Sequence, residues 1–292
     1  MVSDVPASEA STAEPTVVAH DNGRLAYTEY GDPDGDPIVF LHGTPGSRLL
    51  GSLFETAAEE HGIRLLAVDR PGYGASDPWP ARSISDAGAY ISAVLDDAGI
   101  ETAALLAFSG GSPQAIAAAA THGDRVSRVD IVSGATPPSV SEETPAIQQV
   151  LATLATRVPP VLGGLLRGQA WLAGRLDPEV VVAQYRADDP DEPIPAATAE
   201  VIRADFIEAV SQSRHGEITE LRTNAAAWGV DFERIDTPVE FRHGGRDTNV
   251  PIGDARRLAS ALPDSDLTVY DDADHLETLL ESVPEIFEEH AD

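Results

Sequence analysis

Residues 102 to 120 read Thr102-Ala103-Ala104-Leu105-Leu106-Ala107-Phe108-Ser109-Gly110-Gly111-Ser112-Pro113-Gln114-Ala115-Ile116-Ala117-Ala118-Ala119-Ala120. The run starts as an apolar segment of strand length, breaks at a serine beside two glycines, and resumes as alanine-rich sequence of high helix propensity. Strand, sharp turn and helix in that order push the turn side chain into a cleft and aim a helix N-terminus at incoming charge, as a nucleophilic serine requires. Ala107, Gly110 and Gly111 are small enough for backbones to pass closely. The pattern Ala-x-Ser-x-Gly is also easily met in a chain rich in these residues, and the plainer reading makes Ser109 a helix cap. The segments on either side decide between the two.

Upstream, Thr16 to His20 and Arg24 to Tyr30 read as strands joined by Asp21-Asn22-Gly23, a hairpin signal. Ile38 to Leu41 is an apolar strand of the kind buried on both faces. It runs into His42-Gly43-Thr44-Pro45-Gly46-Ser47, an irregular stretch whose amides can face the same cleft as Ser109, or which is simply a strand-to-helix turn. A helix is expected from Leu49 to His61, a strand from Ile63 to Val68, and a Gly- and Pro-crowded loop from Asp69 to Pro78. Ser83 to Ala98 reads as a helix capped by Ser83 with Asp86 three residues on, and Val126 to Ser133 as a strand. Such alternation implies a mostly parallel sheet covered on both faces.

From about Pro137 to Asp236 the alternation stops. Helical segments with no clear strand, broken at Pro159-Pro160, Gly163-Gly164, Pro190 and Pro193-Ile194-Pro195, read as a helical insertion. Its large side chains Trp171, Tyr185, Phe206 and Trp228 either only pack a small core of its own or also line a pocket, and core is expected for most of them. Alternation returns with a strand from Pro238 to His243, the loop Gly244 to Pro251, a helix from Ile252 to Leu262 and a strand from Asp266 to Tyr270. Asp271-Asp272-Ala273-Asp274-His275 then leads into a final helix.

The chain has 292 residues and a formal net charge of −30, and all 19 of its basic residues are arginine. Its acids are scattered rather than gathered in a tail, so the surface is expected to be uniformly charged. That charge speaks against nucleic acid as a partner. The absence of cysteine excludes disulfides and thiolate metal sites. Residues 1–15 are small, polar and acidic, a disordered lead-in without the features of a secretion signal. No apolar run is long enough to cross a bilayer, so no membrane partner is expected. The acid excess and the missing lysine point to a cytoplasmic protein, adapted to a very salty cytoplasm.

Ser109, Asp247 and His275 each follow the C-terminal end of an expected strand, where ligands bind in open parallel sheets. They occur in the order Ser, Asp, His, as triads on this architecture do. In such a triad His275 takes the Ser109 proton and later gives it to the leaving group, while Asp247 orients and stabilises the imidazolium. The oxyanion would meet the amides of Gly110 and Thr44. Other candidates fit these roles less well: Ser112 already lies in the helix, His42 is expected to bond structurally, His243 lies within a strand, and no acid follows Ser133 until Glu142. Asp271, Asp272, Asp274 and His275 are ligand-type residues, but acids ahead of a helix are usually solvated or capping, so no metal is expected.

These segments together resemble the α/β-hydrolase superfamily over nearly the whole chain after the lead-in. Phe40 to Arg48 is similar to its oxyanion loop, Asp69 to Ser76 to its second signature, His243 to Pro251 to its acid loop and Asp274-His275-Leu276 to its histidine loop. The resemblance implies an α/β-hydrolase fold with a mostly parallel eight-stranded sheet, helices on both faces and no cofactor. Residues 16–136 and 237–292 would form the core, and 137–236 a helical cap inserted after strand six. The activity it implies is that of a serine hydrolase acting on an ester or related carbonyl substrate, a small molecule, through an acyl-enzyme. Ser109 in place of an aspartate argues against the epoxide hydrolases and haloalkane dehalogenases of the superfamily. A proline-releasing aminopeptidase, holding a substrate ammonium on cap carboxylates, and a non-catalytic ligand sensor stand as alternatives, and the oligomeric state is left open. Three departures are visible: Ala107 replaces a glycine, Ser112 stands at a third glycine, and Asp274 replaces the glycine before the histidine. The last puts an extra carboxylate beside His275, able to alter its protonation.

The charge alone generates a prediction. The Debye length is about 30 Å at 0.01 M salt and about 3 Å at 1 M, so self-repulsion among 49 acids facing 19 arginines is progressively screened. The thermal midpoint is expected to rise as potassium chloride is raised from roughly 0.1 M to 3 M. A flat or falling midpoint would remove the argument for a saline habitat.

Overall fold

β1 (Thr16–His20) and β2 (Gly23–Gly31) form the expected antiparallel hairpin, which joins the sheet through β4 (Ile63–Asp69). β3 (Asp36–Leu41), β4, β5 (Ala103–Phe108), β6 (Val126–Val132), β7 (Val239–Gly244) and β8 (Ser265–Tyr270) run parallel, in the spatial order β1-β2-β4-β3-β5-β6-β7-β8. The computed structural model describes residues 14–141, 146–187 and 193–291. The expected lead-in falls outside the described residues except for its last two positions, and Glu142 and Pro190 also lie outside them.

Both faces of the central strands are covered, which explains their unbroken apolar sequence. Val39, Leu41, Leu66, Val68, Leu105 and Ala107 pack beneath α2 (Ala87–Asp97), α3 (Ser112–Thr121) and α9 (Ile252–Ser260). Ile38, Phe40, Leu65, Ala67, Leu106 and Phe108 pack on the other face against α1 (Glu55–Glu60), the segment before it, and α10 (His275–Ala291). Each fully buried aliphatic side chain contributes roughly 1.5–3 kcal/mol. The expected helix from Leu49 to His61 divides into a tighter 3-10 turn, Arg48–Phe54, and α1. Ser47 Oγ accepts the Leu49 N–H and Ser52 Oγ donates to the Leu49 carbonyl, which tightens the turn and lays Leu50 and Phe54 on the sheet. At the next helix, Ser83 and Asp86 form the expected capping box.

Between β6 and β7 the described residues hold α4 (Ala146–Arg157), α5 (Pro159–Ala173), α6 (Pro178–Val182), α7 (Ala196–Ala209) and α8 (His215–Asn224), and no strand. Pro159 starts α5, as proline at a first helical turn does. The break expected at Gly163-Gly164 does not occur: α5 runs through it, because the buried Leu162 and Leu166 hold the helix against the cost of its glycines. Among the large side chains, Phe206 and Trp228 are buried, and both cluster with sheet residues, on opposite faces, rather than in a separate core of the insertion. Trp171 is 59% exposed, against expectation.

This topology decides where a site can form. β3 and β5 pair to their carboxyl ends, but the chain leaves β3 toward one face of the sheet and β5 toward the other, so a crevice opens beyond those ends. The two turns at that crevice touch: a Cβ on Gly111 would stand 2.4 Å from the Leu41 carbonyl oxygen. Since the obstacle is backbone of a central strand, Gly111→Ala is expected to destabilise the fold by about 2 kcal/mol. Gly168→Ala on α5, where nothing lies within 4 Å of the added carbon, should instead leave stability unchanged or slightly raised. Urea denaturation of the two variants checks the contrast.

Candidate active site

Ser109 leaves β5 with a φ of +49°, a left-handed conformation uncommon for a residue with a Cβ. The turn is held by the Ala135 N–H, which donates to the Ser109 carbonyl at 2.9 Å. Across it lies the turn after β3, where a Cβ on Gly43 would stand 3.6 Å from Ser109 Cβ. A Cβ on Gly110 would stand 2.1 Å from Thr44 Oγ1 and 3.1 Å from Thr44 N, so the backbones named for the oxyanion run side by side. Ser112 is the fully buried first residue of α3, with no hydrogen bond to its hydroxyl.

Asp247 and His275 meet. The Asp247 carboxylate has no proton to give, so His275 Nδ1 donates to its Oδ2, at 2.7 Å. Asp247 Oδ1 accepts the N–H groups of Asn249 at 2.8 Å and Val250 at 2.9 Å, which fixes the carboxylate. Burial alone would raise its pKa, but the His275 contact, His243 and the Val250 amide outweigh burial and hold it below the usual carboxylate range. His243 Nε2 lies 3.4 Å from Asp247 Oδ2 and donates to the Val250 carbonyl at 2.9 Å. Burial lowers its pKa, which keeps it neutral. The His275 ring lies against Phe108, the residue before Ser109, with centroids 4.9 Å apart.

The structure also places side chains from the insertion around the turn after β3. His42 donates Nδ1 to the Gly43 carbonyl at 2.7 Å and receives the Arg70 N–H on Nε2 at 3.4 Å, so neither nitrogen is left for proton transfer. Burial, and then the Arg70 cation, push its pKa well below the ordinary value. Glu220 on α8 accepts from Arg70 Nε at 2.8 Å and Nη2 at 2.7 Å, Arg82 Nη2 at 3.0 Å, Tyr73 OH at 2.9 Å and Thr44 Oγ1 at 2.7 Å. Arg70 in turn donates to the His42 and Gly43 carbonyls. Asp205 Oδ1 on α7 accepts Ser47 N–H and Oγ–H, both at 2.7 Å, and Glu208 shares Arg48 with Asp69. These acids were missed in sequence. Asp205 with Glu208, and Glu217 with Glu220, are spaced i, i+3 on one helix face, but that spacing does not tell a buried pair from a solvated one.

A narrow cleft, with a cavity volume of about 10 Å³, is lined by Leu50, Phe108, Ile202, Leu276, Tyr185 and Asp205 among others, and the rings of Phe108 and Tyr185 set it beside His275. Tyr185 therefore belongs to the cleft wall and not to a core of the insertion; its ring stacks on His275 at 6.5 Å and 11°. Burial drives the Asp205 pKa up to about 7, and that of Glu217 up to about 8 with the charge of Glu220 adding to it. Asp271 and Asp272 are exposed, while Asp274 caps α10 by accepting the Leu276 and Glu277 N–H groups. Among the described residues no group of three or more His, Cys, Asp or Glu is arranged to hold a metal, and no helix is long and apolar enough to cross a membrane.

Residues 36–281 match the family model described as alpha/beta hydrolase fold. The chain is 32% identical over 176 residues to a haloalkane dehalogenase of Mycobacterium marinum, a match spanning 58% of this chain and 57% of that protein. It is 27% identical over 290 residues to a non-heme chloroperoxidase of Streptomyces lividans, covering 93% of this chain and 95% of that one. In structure it resembles an esterase from Exiguobacterium antarcticum, with a TM-score of 0.70 at 20% identity, over 94% of this chain and 99% of the esterase, which is a likeness of fold.

The Glu220 cluster yields a prediction. Burial would raise its carboxyl pKa, but Arg70 and Arg82 overcome burial and hold it far below the usual range. A pKa depressed on folding gives stability that is present above the unfolded value, about 4.3, and lost as pH falls through the folded one. Glu220→Gln leaves two buried guanidinium groups short of their counter-ion and is expected to cost about 3–5 kcal/mol at pH 7. In urea denaturation the gap from wild type should narrow as the pH is lowered below about 4.

Proposed function

The chain belongs to the α/β-hydrolase fold family, and from that premise we propose that it is a serine hydrolase acting on an ester or related carbonyl substrate. The observation that carries the reading is the Asp247–His275 hydrogen bond, with the His275 ring against Phe108 and the next residue, Ser109, in a left-handed turn. In this mechanism Ser109 Oγ attacks the carbonyl carbon as His275 Nε2 takes its proton. The oxyanion is received by the amides of Thr44 and Gly110. His275 returns the proton to the leaving alcohol, giving an acyl-enzyme, and a water activated by the same imidazole then releases the acid. Asp247 holds the imidazole in the required tautomer throughout. The helices within 137–236 serve as a cap whose Tyr185 and Ile202 shape the acyl cleft. An alkyl-enzyme of the dehalogenase kind needs a carboxylate where Ser109 stands.

A second reading, a proline-releasing aminopeptidase, is favoured by Asp205, a buried carboxyl on the cleft wall that would have to take the substrate ammonium. The test is a panel of p-nitrophenyl esters of several chain lengths beside aminoacyl and lactone substrates, in concentrated salt. Turnover of neutral esters supports the first reading and exclusive turnover of aminoacyl substrates the second. No turnover by a folded protein favours a ligand sensor. Ser109→Ala is expected to abolish turnover without loss of fold, and an activated fluorophosphonate to label wild type at Ser109. Label on Ser112, or label persisting in the variant, would overturn the nucleophile.

A further inference from the structure

One short run of the insertion, Gln184 to Ala187, meets His275 directly and Asp247 through Asn249. The Tyr185 ring stacks on His275. Asn249 Nδ2 donates to the Gln184 carbonyl at 3.1 Å, while the Asn249 N–H donates to Asp247 Oδ1. Arg186 is buried; its Nε donates to Asp274 Oδ2 at 2.8 Å and its Nη2 to Glu277 Oε1. The Ala187 N–H reaches the same Asp274 oxygen at 3.1 Å. Asp274 is thus a second carboxylate adjoining the base, and a cation delivered by another part of the fold meets its charge.

We propose that Arg186 is a positioning residue: by pairing with Asp274 and Glu277 it leaves Asp247 as the carboxylate that sets the charge of His275, and it ties the proton state of the base to the seating of the insertion. The inference rests on the reading of His275 as general base. The titratable and charged groups around His275 are Asp247, bonded to its ring, with His243 behind it; Tyr185, stacked on it; Asp274 and Glu277, one and two positions away along the chain, with Arg186 paired to both; and Asp205 on the wall of the cleft that Tyr185 also lines. Asp274 and Glu277 are balanced only while Arg186 is in place. Without it, two further negative charges favour the imidazolium, and the base stays protonated to higher pH.

The experiment is the pH profile of kcat/KM for the fastest ester of the panel in wild type, Arg186→Lys, Arg186→Gln, Asp274→Asn and the double variant Arg186→Gln/Asp274→Asn, at one fixed ionic strength. Arg186→Gln is expected to move the acid limb up by about half a pH unit. Arg186→Lys should keep it near wild type, Asp274→Asn should move it down, and the double variant should bring it back. If circular dichroism shows Arg186→Gln unfolded, the direction of the shift in Asp274→Asn decides. A limb unmoved in these variants, with His275→Ala inactive, overturns the proposal alone and makes Arg186 a structural ion pair. A fully active His275→Ala overturns the reading of the base and this proposal with it.

Discussion

Glu220 is fully buried and receives five hydrogen bonds, most of them from two arginines that are buried as well. A charge taken out of water this completely is tolerable only if its partners are exact in number and direction, so the cluster admits one arrangement of the three segments that meet in it. Those segments are the turn after β3, the loop after β4 and helix α8. Arg70 then passes the constraint on, because its remaining donors reach the His42 and Gly43 carbonyls. The backbone that offers Thr44 to the crevice is thereby fixed from below by the loop after β4 and from above by α8.

Arginine does work here that composition does not disclose. Five of the 19 arginines, Arg48, Arg70, Arg82, Arg186 and Arg242, are buried, and each meets acids that are far away in sequence. A planar fork with five donors satisfies several acceptors at once, which a compact ammonium on a flexible stem does not. Composition alone sets the missing lysine beside the acid excess as a sign of a salty cytoplasm. The fold adds a second account: the inward-facing cations sit at junctions where bidentate geometry matters. It also means that the outer surface holds fewer cations than a count over the chain implies.

The sheet was legible because its signals are local. Apolar runs such as Ile38 to Leu41, the Asn22-Gly23 turn, and glycines after strand ends each act over a few residues. The positions of Ser109, Asp247 and His275 were legible for the same reason, each following a strand end. What the sequence does not display is which of many acids turns inward. Glu220 and Asp205 look like neighbours of other carboxylates on polar helices, and only tertiary partners over a hundred residues away, Arg70 and Ser47, distinguish them. Which of the insertion's aromatics lines the cleft is hidden for a related reason: an aromatic among helical residues signals burial, but not against what, and only the fold picks out Tyr185. The continuous α5 across Gly163-Gly164 shows packing overriding a local preference.

The Arg70–Glu220 pair also has a consequence for biosynthesis, since its two ends lie 150 residues apart in the chain. At about 5–20 residues per second, many seconds pass between the emergence of the arginine from the ribosome and that of its counter-ion. During that interval strands β3, β4 and β5 are all available to pair, yet the loop between them carries a guanidinium that cannot be buried. The nascent sheet must therefore keep this end open to water until α8 arrives, and closure over the crevice belongs among the last steps of folding.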